Sequence, residues 1–194
     1  MRPGRGRNRR PSGADPRGLA ALVPLVALAV VGSAAPGIAA AAPDACGAQP
    51  AAHALDFWLG TWEVRDADGG LAGTNRIEAT LDGCAILEHW SGAGGSAGLS
   101  LFYFHSWLGQ WRQVWITAES RRPGAVKEKR QDLNYQGPGI RFQGEVMVSP
   151  EHYVQDRTTL VPLPDGRVRQ RIETSNDDGR SWQLVFEGWY RRRP

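Results

Sequence analysis

Residues 152–191 read HYVQDRTTLVPLPDGRVRQRIETSNDDGRSWQLVFEGWYR, and this stretch decides the fold. Three segments rich in β-branched and aromatic residues, at 152–162, 166–175 and 181–191, are separated by Asp165-Gly166 and Asp178-Gly179. Asp-Gly is a strong hairpin signal, because both central residues of a type I′ turn need positive φ, which Gly adopts freely and Asp tolerates. The stretch therefore predicts consecutive antiparallel strands joined by tight turns.

The same pattern extends toward the N-terminus. Asp68-Gly69, Asp82-Gly83 and Leu108-Gly109 supply further breaks, as do the Gly-rich segments 92–98 and 137–139. After residue 59 no segment repeats its apolar residues at helical spacing over 11 or more residues. About ten strands are expected in all, the other seven being 57–66, 73–82, 84–91, 98–107, 110–118, 125–134 and 139–148.

A meander of this length has to close or fold over, because an open flat sheet leaves edges that aggregate. An up-and-down barrel removes those edges and encloses a lumen. A β-sandwich is the competing architecture, since hairpin spacing alone does not separate the two. We therefore predict an all-β, antiparallel barrel over residues 57–194, preceded by a segment, 43–56, that contains a short helix.

Residues 1–42 have the three-part pattern of a secretory signal. Six Arg precede an apolar run at 19–31, and small residues at 32–42 offer Ala-x-Ala cleavage sites. The apolar run is too short for a bilayer, which needs about 20 residues to cross. Arg9-Arg10 leaves the twin-arginine route open beside the general secretory one. The mature protein is expected in the periplasm or outside the cell, without a membrane span.

The charge distribution argues against a nucleic-acid partner. The whole chain carries a formal charge of +3, but six Arg and one Asp lie in residues 1–42, which leaves −2 over residues 43–194. A protein that binds nucleic acid needs a basic stripe to neutralise phosphates. The oligomeric state is left open by the sequence.

Cys46 and Cys84 are the only two cysteines of the chain. In an oxidising compartment an even pair is most simply one disulfide. Such a bond closes a long loop and is worth roughly 3 to 4 kcal/mol if it is unstrained. We therefore expect it to tie the mature N-terminus to a strand.

The segment Asp56-Phe57-Trp58-Leu59-Gly60-Thr61-Trp62-Glu63-Val64 resembles the first strand of calycin barrels, in which a Gly-x-Trp element follows a short helix and the Trp closes the base of the barrel. Residues 46–191 also resemble a family of exported bacterial proteins of unknown function. The matching pieces are GCAILEHW at 83–90, GLSL at 98–101, WRQVW at 111–115, VRQ at 168–170 and SNDDGRSW at 175–182. The resemblance implies a lipocalin-like or fatty-acid-binding-protein-like barrel and no activity.

Two short motifs and the four histidines are further candidates for chemistry on this fold. Gly94-Gly95-Ser96-Ala97-Gly98 matches the G-x-S-x-G elbow of serine hydrolases, but a strand follows where that motif needs a helix, so a loop is expected. The segment 175–182 is expected to form a hairpin whose Asp side chain bonds backbone amides. The histidines lack the spacing of common zinc sites. A haem ligated by a single lumen His, either His89 or His105, is the one cofactor alternative.

The candidate ligand contacts are polar or aromatic residues on otherwise apolar strands. If Trp62 faces inward as in calycins, period-two alternation lets such residues share the lumen face. An inward Glu88 and Arg157 need each other or a ligand, because an unpaired buried charge costs several kcal/mol. A fixed ion pair between them, with Gln113 and Gln170 completing its hydrogen bonds and no space left for a ligand, is the alternative. The seven candidates are Trp62, Glu88, Trp90, Gln113, Trp115, Arg157 and Gln170.

The favoured hypothesis is a barrel that binds a small, largely apolar molecule without making or breaking bonds. The tryptophans form the walls and the other four residues the polar contacts. An enzyme on the same barrel, with Glu88 as general acid or base, is a second hypothesis, and it requires that the pKa of Glu88 be raised toward neutrality. A module that presents its loops to a partner protein is the third.

Overall fold

The computed structural model describes residues 46–119 and 122–193, so the expected signal segment 1–42 lies outside the described residues. Ten strands follow one another, each within a few residues of its expected position. They are β1 (Gly60–Arg65), β2 (Leu71–Thr80), β3 (Ala85–Gly92), β4 (Ala97–His105), β5 (Gln110–Thr117), β6 (Val126–Gln131), β7 (Ile140–Ser149), β8 (His152–Pro162), β9 (Val168–Ser175) and β10 (Gln183–Arg192). No helix in the described part of the chain is long and apolar enough to cross a membrane.

The ten strands close into a single antiparallel barrel. Each strand pairs with its neighbours in the chain, and β10 returns to pair with β1, where Val64 lies opposite Tyr190. This closure confirms the up-and-down barrel and decides against the β-sandwich. It also gives every described strand an inner and an outer face, which alternate along the chain.

The turns use glycine as expected, but in two different ways. Both residues of Asp82-Gly83 and Asp178-Gly179 have positive φ, as a type I′ turn requires. At Asp68-Gly69 and Asp165-Gly166 only the glycine has positive φ, which fits a type I turn followed by a left-handed glycine. The Gly-rich segment before β4 is a hairpin loop followed by a strand, as predicted.

The hairpin between β9 and β10 is held by side-chain hydrogen bonds. Asp177 accepts hydrogen bonds from the backbone amide of Ser181 at 2.8 Å and from its hydroxyl at 2.6 Å. The indole of Trp182 donates to the carbonyl of Gly179 at 3.0 Å. The hydroxyl of Ser175 also donates to Asp177, at 2.6 Å, and this hydrogen bond together with those from Ser181 lowers the pKa of Asp177 to about 2. The expected Asp-locked turn is therefore confirmed.

One end of the barrel is closed by the N-terminal segment. The expected short helix takes the form of three 3-10 helices, Cys46–Ala48, Pro50–His53 and Asp56–Trp58. The ring of Trp58 lies edge-on to Phe102, with centroids 5.4 Å apart, and the indole of Trp111 donates to the carbonyl of Ala51 at 3.0 Å. We call this closed region the capped end.

Trp62 belongs to the capped end. Its side chain is fully buried, and its indole donates to the carbonyl of Trp58 at 2.8 Å. The guanidinium of Arg192 lies 4.5 Å from the centre of its ring and donates to the carbonyl of Leu59. Trp62 therefore seals the base of the barrel, as the calycin resemblance implies.

The expected disulfide between Cys46 and Cys84 is confirmed, with the two Cα atoms 5.6 Å apart. It joins the first of the 3-10 helices to the residue that precedes β3. The cap is thus held covalently to the wall of the barrel.

Candidate functional site

A belt of polar side chains faces the lumen halfway along the barrel. Its members come from eight strands, and each is at most 8 % exposed. Such burial requires hydrogen-bond or charge partners, because an unsatisfied polar group is costly away from water. We define the polar belt as Asn75, Glu88, Ser100, Gln113, Lys129, Asp156, Thr158, Gln170 and Tyr190.

A cavity of about 270 Å³ lies between the polar belt and the end of the barrel opposite the cap. The belt forms its floor, and aromatic residues near the strand ends form its walls. These aromatic residues lie at the open end of the barrel, because Trp90 is near the end of β3, Trp115 is near the end of β5 and Phe186 is near the start of β10. The lining consists of Glu88, Trp90, Gln113, Trp115, Arg122, Lys127, Lys129, Thr158, Gln170, Ile172, Phe186 and Tyr190.

Glu88 is held in the floor by two hydrogen bonds. The amide of Asn75 donates to one carboxylate oxygen at 2.7 Å, and the hydroxyl of Ser100 donates to the other at 2.6 Å. Burial raises the pKa of Glu88, against the opposing effect of these hydrogen bonds and of the Lys129 charge. The side chain therefore favours its neutral form more than an exposed glutamate does.

The remaining floor residues continue this network on both sides of Glu88. Gln113 donates through its amide to the Ser100 hydroxyl at 3.3 Å, while its own carbonyl oxygen has no partner among the described residues. On the other side, the hydroxyl of Tyr190 donates to the carbonyl oxygen of Gln170 at 2.9 Å. Two acceptors of the polar belt, the side-chain carbonyl oxygens of Asn75 and Gln113, are thus left without a partner among the described residues, and Gln113 lines the cavity.

Two lysines share a single aspartate at one side of the cavity. Lys127 donates to one oxygen of Asp156 at 2.6 Å, and Lys129 donates to the other at 2.7 Å and to Thr158 at 2.5 Å. Burial lowers the pKa of Lys129 to about 8, against the attraction of Asp156. Burial alone would raise the pKa of Asp156, but the two lysine charges hold it below its usual value.

Five of the seven candidate residues line this cavity: Glu88, Trp90, Gln113, Trp115 and Gln170. Trp62 faces inward as expected but lies at the capped end, where it packs against Trp58 and Tyr190 instead of lining the cavity. It is a structural residue of the base.

The expectation that Arg157 faces the lumen is wrong. Its guanidinium lies on the outer face, where Nε donates to Glu173 at 2.9 Å and the group stacks 3.9 Å from the ring of Trp182. Leu160 packs into the core, so alternation along β8 places Thr158 inward and Arg157 outward. The expected ion pair between Arg157 and Glu88 is therefore not formed.

Neither candidate haem ligand lines the cavity. His89 lies between the inward residues Glu88 and Trp90, so its ring is on the outer face, 3.6 Å from a carboxylate oxygen of Glu78. His105 is exposed at the end of β4. Across residues 46–119 and 122–193, no group of three or more His, Cys, Asp or Glu side chains is placed to hold a metal ion.

Lys127, Lys129 and Asp156 were not anticipated. The β6 sequence VKEKRQ has charged or polar residues at five of its six positions, so alternation does not indicate which face is inward. The spacing of the two lysines was the one available signal, because residues two positions apart in a strand share a face. If that face is buried, the lysines need an acidic partner. Asp156 of β8 is that counter-ion.

The geometry is that of a cavity with a polar floor, aromatic walls and a cationic side. Comparison of the sequence with models of known protein families and with curated proteins finds no match to either.

Proposed function

We propose that the protein is an exported barrel that binds a small, largely apolar molecule in its lumen. One observation carries the proposal: a cavity of about 270 Å³ whose aromatic walls lie above a fixed polar floor. Ligand sites typically combine apolar walls with a few placed polar groups that orient the ligand. The arrangement of Trp90, Trp115 and Phe186 above Glu88 and Gln113 has this form.

The size of the cavity limits the ligand. A cavity of about 150 Å³ lined by apolar side chains accepts benzene. A volume of about 270 Å³ therefore suits one aromatic ring, or a comparable apolar body, with a short polar arm. Larger lipids would have to extend out of the open end.

Export is part of the proposal. The signal-like pattern of residues 1–42 and the disulfide between Cys46 and Cys84 support it, because disulfides persist in oxidising compartments. The resemblance of residues 46–191 to a family of exported bacterial proteins also supports export.

Acid–base catalysis by Glu88 is the second candidate. Its position in the cavity lining and its raised pKa favour this role. Against it, both carboxylate oxygens already accept hydrogen bonds from Asn75 and Ser100, which suits a fixed orienting group better than one that transfers protons.

The proposal can be tested with a native ligand and with a probe. Native mass spectrometry of the protein purified from the organism that makes it should show a retained small molecule. Isothermal titration with 3-phenylpropan-1-ol, an uncharged molecule with one ring and a short arm, should show binding at one site. The variant Ile172→Trp places an indole into the cavity and should abolish both signals.

Arg157→Gln is the matched control, because Arg157 lies on the outer face. It should retain the native ligand and bind the alcohol within about twofold of the parent affinity, since it removes no cavity contact. Circular dichroism establishes that both variants are folded. Absence of a retained molecule together with no alcohol binding, or equal binding by Ile172→Trp, contradicts the proposal.

A further inference from the structure

We propose that the lumen ligand is a monocarboxylic acid whose carboxylate lies against Lys127 and Lys129. This inference rests on the proposed binding function and names the chemical class of the ligand. It starts from the unequal distribution of charge around the cavity.

The cavity is lined by the two lysines but not by their counter-ion. Lys127 and Lys129 both belong to the lining, whereas Asp156 is 1 % exposed and does not line the cavity. One aspartate balances one of the two positive charges. A ligand in the cavity therefore meets a net positive charge on this side.

The ammonium groups also have hydrogen bonds left to give. Each lysine carries three N–H donors. Lys129 uses two of them, on Asp156 and Thr158, and Lys127 uses one, on Asp156. Three donors remain on the two lysines, and a carboxylate has two oxygens that can accept them.

A cationic ligand finds no carboxylate oxygen that is free of a hydrogen bond. Both oxygens of Asp156 accept from the lysines, and both oxygens of Glu88, the one described carboxylate in the lining, accept from Asn75 and Ser100. Burial raises the pKa of Glu88, which reduces its repulsion of an anion in the cavity. Arg122, the other cation of the lining, pairs with Glu119, and the two lysines exceed Asp156 by one positive charge. A single carboxylate balances this excess on the lysine side, whereas a doubly charged group leaves an uncompensated charge away from water.

The aromatic walls complete the fit. Trp90 and Phe186 lie edge-on at 6.4 Å, and Trp115 lines the same open half of the cavity. Lys127 lies at the second position of β6, level with this open half, and Lys129 lies two residues deeper. The apolar body of the acid packs against the indoles while its carboxylate lies on the β6 side.

The test compares three molecules of nearly the same shape and different charge. These are 3-phenylpropionate, 3-phenylpropan-1-ol and 3-phenylpropylamine, each titrated calorimetrically at pH 7 into the full mature protein. We expect the carboxylate to bind at least about tenfold more tightly than the alcohol, and the amine most weakly, because charge-assisted hydrogen bonds are about twice as strong as neutral ones.

Lys127→Gln should bring the affinity for the carboxylate close to that for the alcohol, because it removes one of the two positive charges on this side of the cavity. Lys129 remains beside Asp156 in this variant, so the counter-ion is not left alone. Arg130→Gln is the matched control, because it removes the same charge from the exposed outer face of β6. It should keep the full preference for the carboxylate.

Equal binding of carboxylate and alcohol, tighter binding of the amine, or no binding of the carboxylate overturns the inference. In each of these cases the proposed lumen-binding function still holds if the alcohol binds and Ile172→Trp abolishes that binding. The wild-type series alone decides the question if Lys127→Gln does not fold.

Discussion

At the scale of single residues, Glu88 is a carboxyl group that the fold takes out of water. Its folded pKa is raised above the ordinary value of 4.5, chiefly by burial. A group shifted in this direction stabilises the fold fully below its unfolded pKa, and that contribution is lost as pH rises through the folded pKa. The wild-type free energy of unfolding should therefore contain a term that falls as pH rises above about 4.5.

Glu88→Gln removes this term. An amide keeps one accepting oxygen for Asn75 and can donate to Ser100, but it does not titrate. The free energy of unfolding of the variant should therefore improve relative to wild type as pH rises from about 4 to about 8. Urea unfolding followed by tryptophan fluorescence over this pH range measures the difference.

Glu128→Gln provides the control for Glu88→Gln, since Glu128 is exposed on the outer face of β6. Its difference from wild type should be nearly independent of pH. A Glu88→Gln difference that is equally flat would show that the buried carboxyl is not destabilised in its charged form.

Whether the sequence predicted the correct face for a site residue depended on the residues beside it in the strand. Trp90, Trp115 and Gln113 were found from sequence because, with Trp62 taken as inward, period-two alternation lets Trp90 share a face with Glu88 and Trp115 share one with Gln113. Arg157 was misplaced because Asp156 and Thr158 are as polar as it is, so β8 offers no local contrast. The ion pairs that settle its direction join β8 to β6 and β9, and such pairings are not visible along one strand.

At the scale of elements, close contact between glycines and indoles shapes the cavity wall. A Cβ atom at Gly98 would overlap the ring of Trp115, and one at Gly73 would approach the ring of Trp90. The two indoles thus occupy space beside neighbouring strands that a larger residue than glycine would fill. The lumen stays open because these rings lie along the wall.

Gly98→Ala should therefore close the cavity without altering the strand backbone. The new methyl group displaces the Trp115 ring, and overpacking of this kind costs about 1 to 3 kcal/mol. The affinity for 3-phenylpropan-1-ol should fall at least about tenfold because the ring moves into the lumen. Calorimetric titration and urea unfolding measure the two effects.

Gly94→Ala is the matched control for Gly98→Ala, since a Cβ atom there meets open space. It should bind the alcohol normally. A Gly98→Ala variant that loses stability and keeps full affinity would mean that the Trp115 ring moves away from the lumen.

The elements themselves were well anticipated, since all ten strands lie near their expected positions. Hairpins are local, and the signals for Asp82-Gly83 and Asp178-Gly179 are contained within the turns. The face of β6 was the exception. With Lys127, Glu128, Lys129 and Arg130 in succession, the strand has no apolar stripe, and only tertiary charge pairing orients it.

At the scale of the whole molecule, barrel closure is the property that local patterns could not establish. It depends on β1 meeting β10, segments at opposite ends of the domain, through pairs such as Val64 with Tyr190. A barrel and a sandwich share their hairpins and differ in this one long-range pairing. The calycin resemblance of residues 56–64 was the feature that favoured closure, and Trp62 occupies the base that it implied.

The disulfide acts at the same scale, because it links the cap to the barrel wall. Cys46 and Cys84 are 38 positions apart in sequence, and a cross-link of this span stabilises the fold by roughly 3 to 4 kcal/mol by restricting the unfolded chain. The variant in which both cysteines become serine should lose about that much free energy of unfolding in urea. The cap should loosen first, because Trp58 and Leu55 reach the core through the segment that the bond restrains.

Reduction of the wild-type protein should give the same loss as the double serine variant, since these are the only two cysteines in the chain. The double variant is the internal control, because its stability should not respond to reductant. Amide hydrogens of residues 46–59 should exchange faster in the reduced wild-type protein and in the double serine variant. The β7–β8 hairpin should keep its protection in both, because its pairing does not involve the cap. A loss below about 1 kcal/mol, or uniform loss of protection across the barrel, would contradict a bond that acts through the cap.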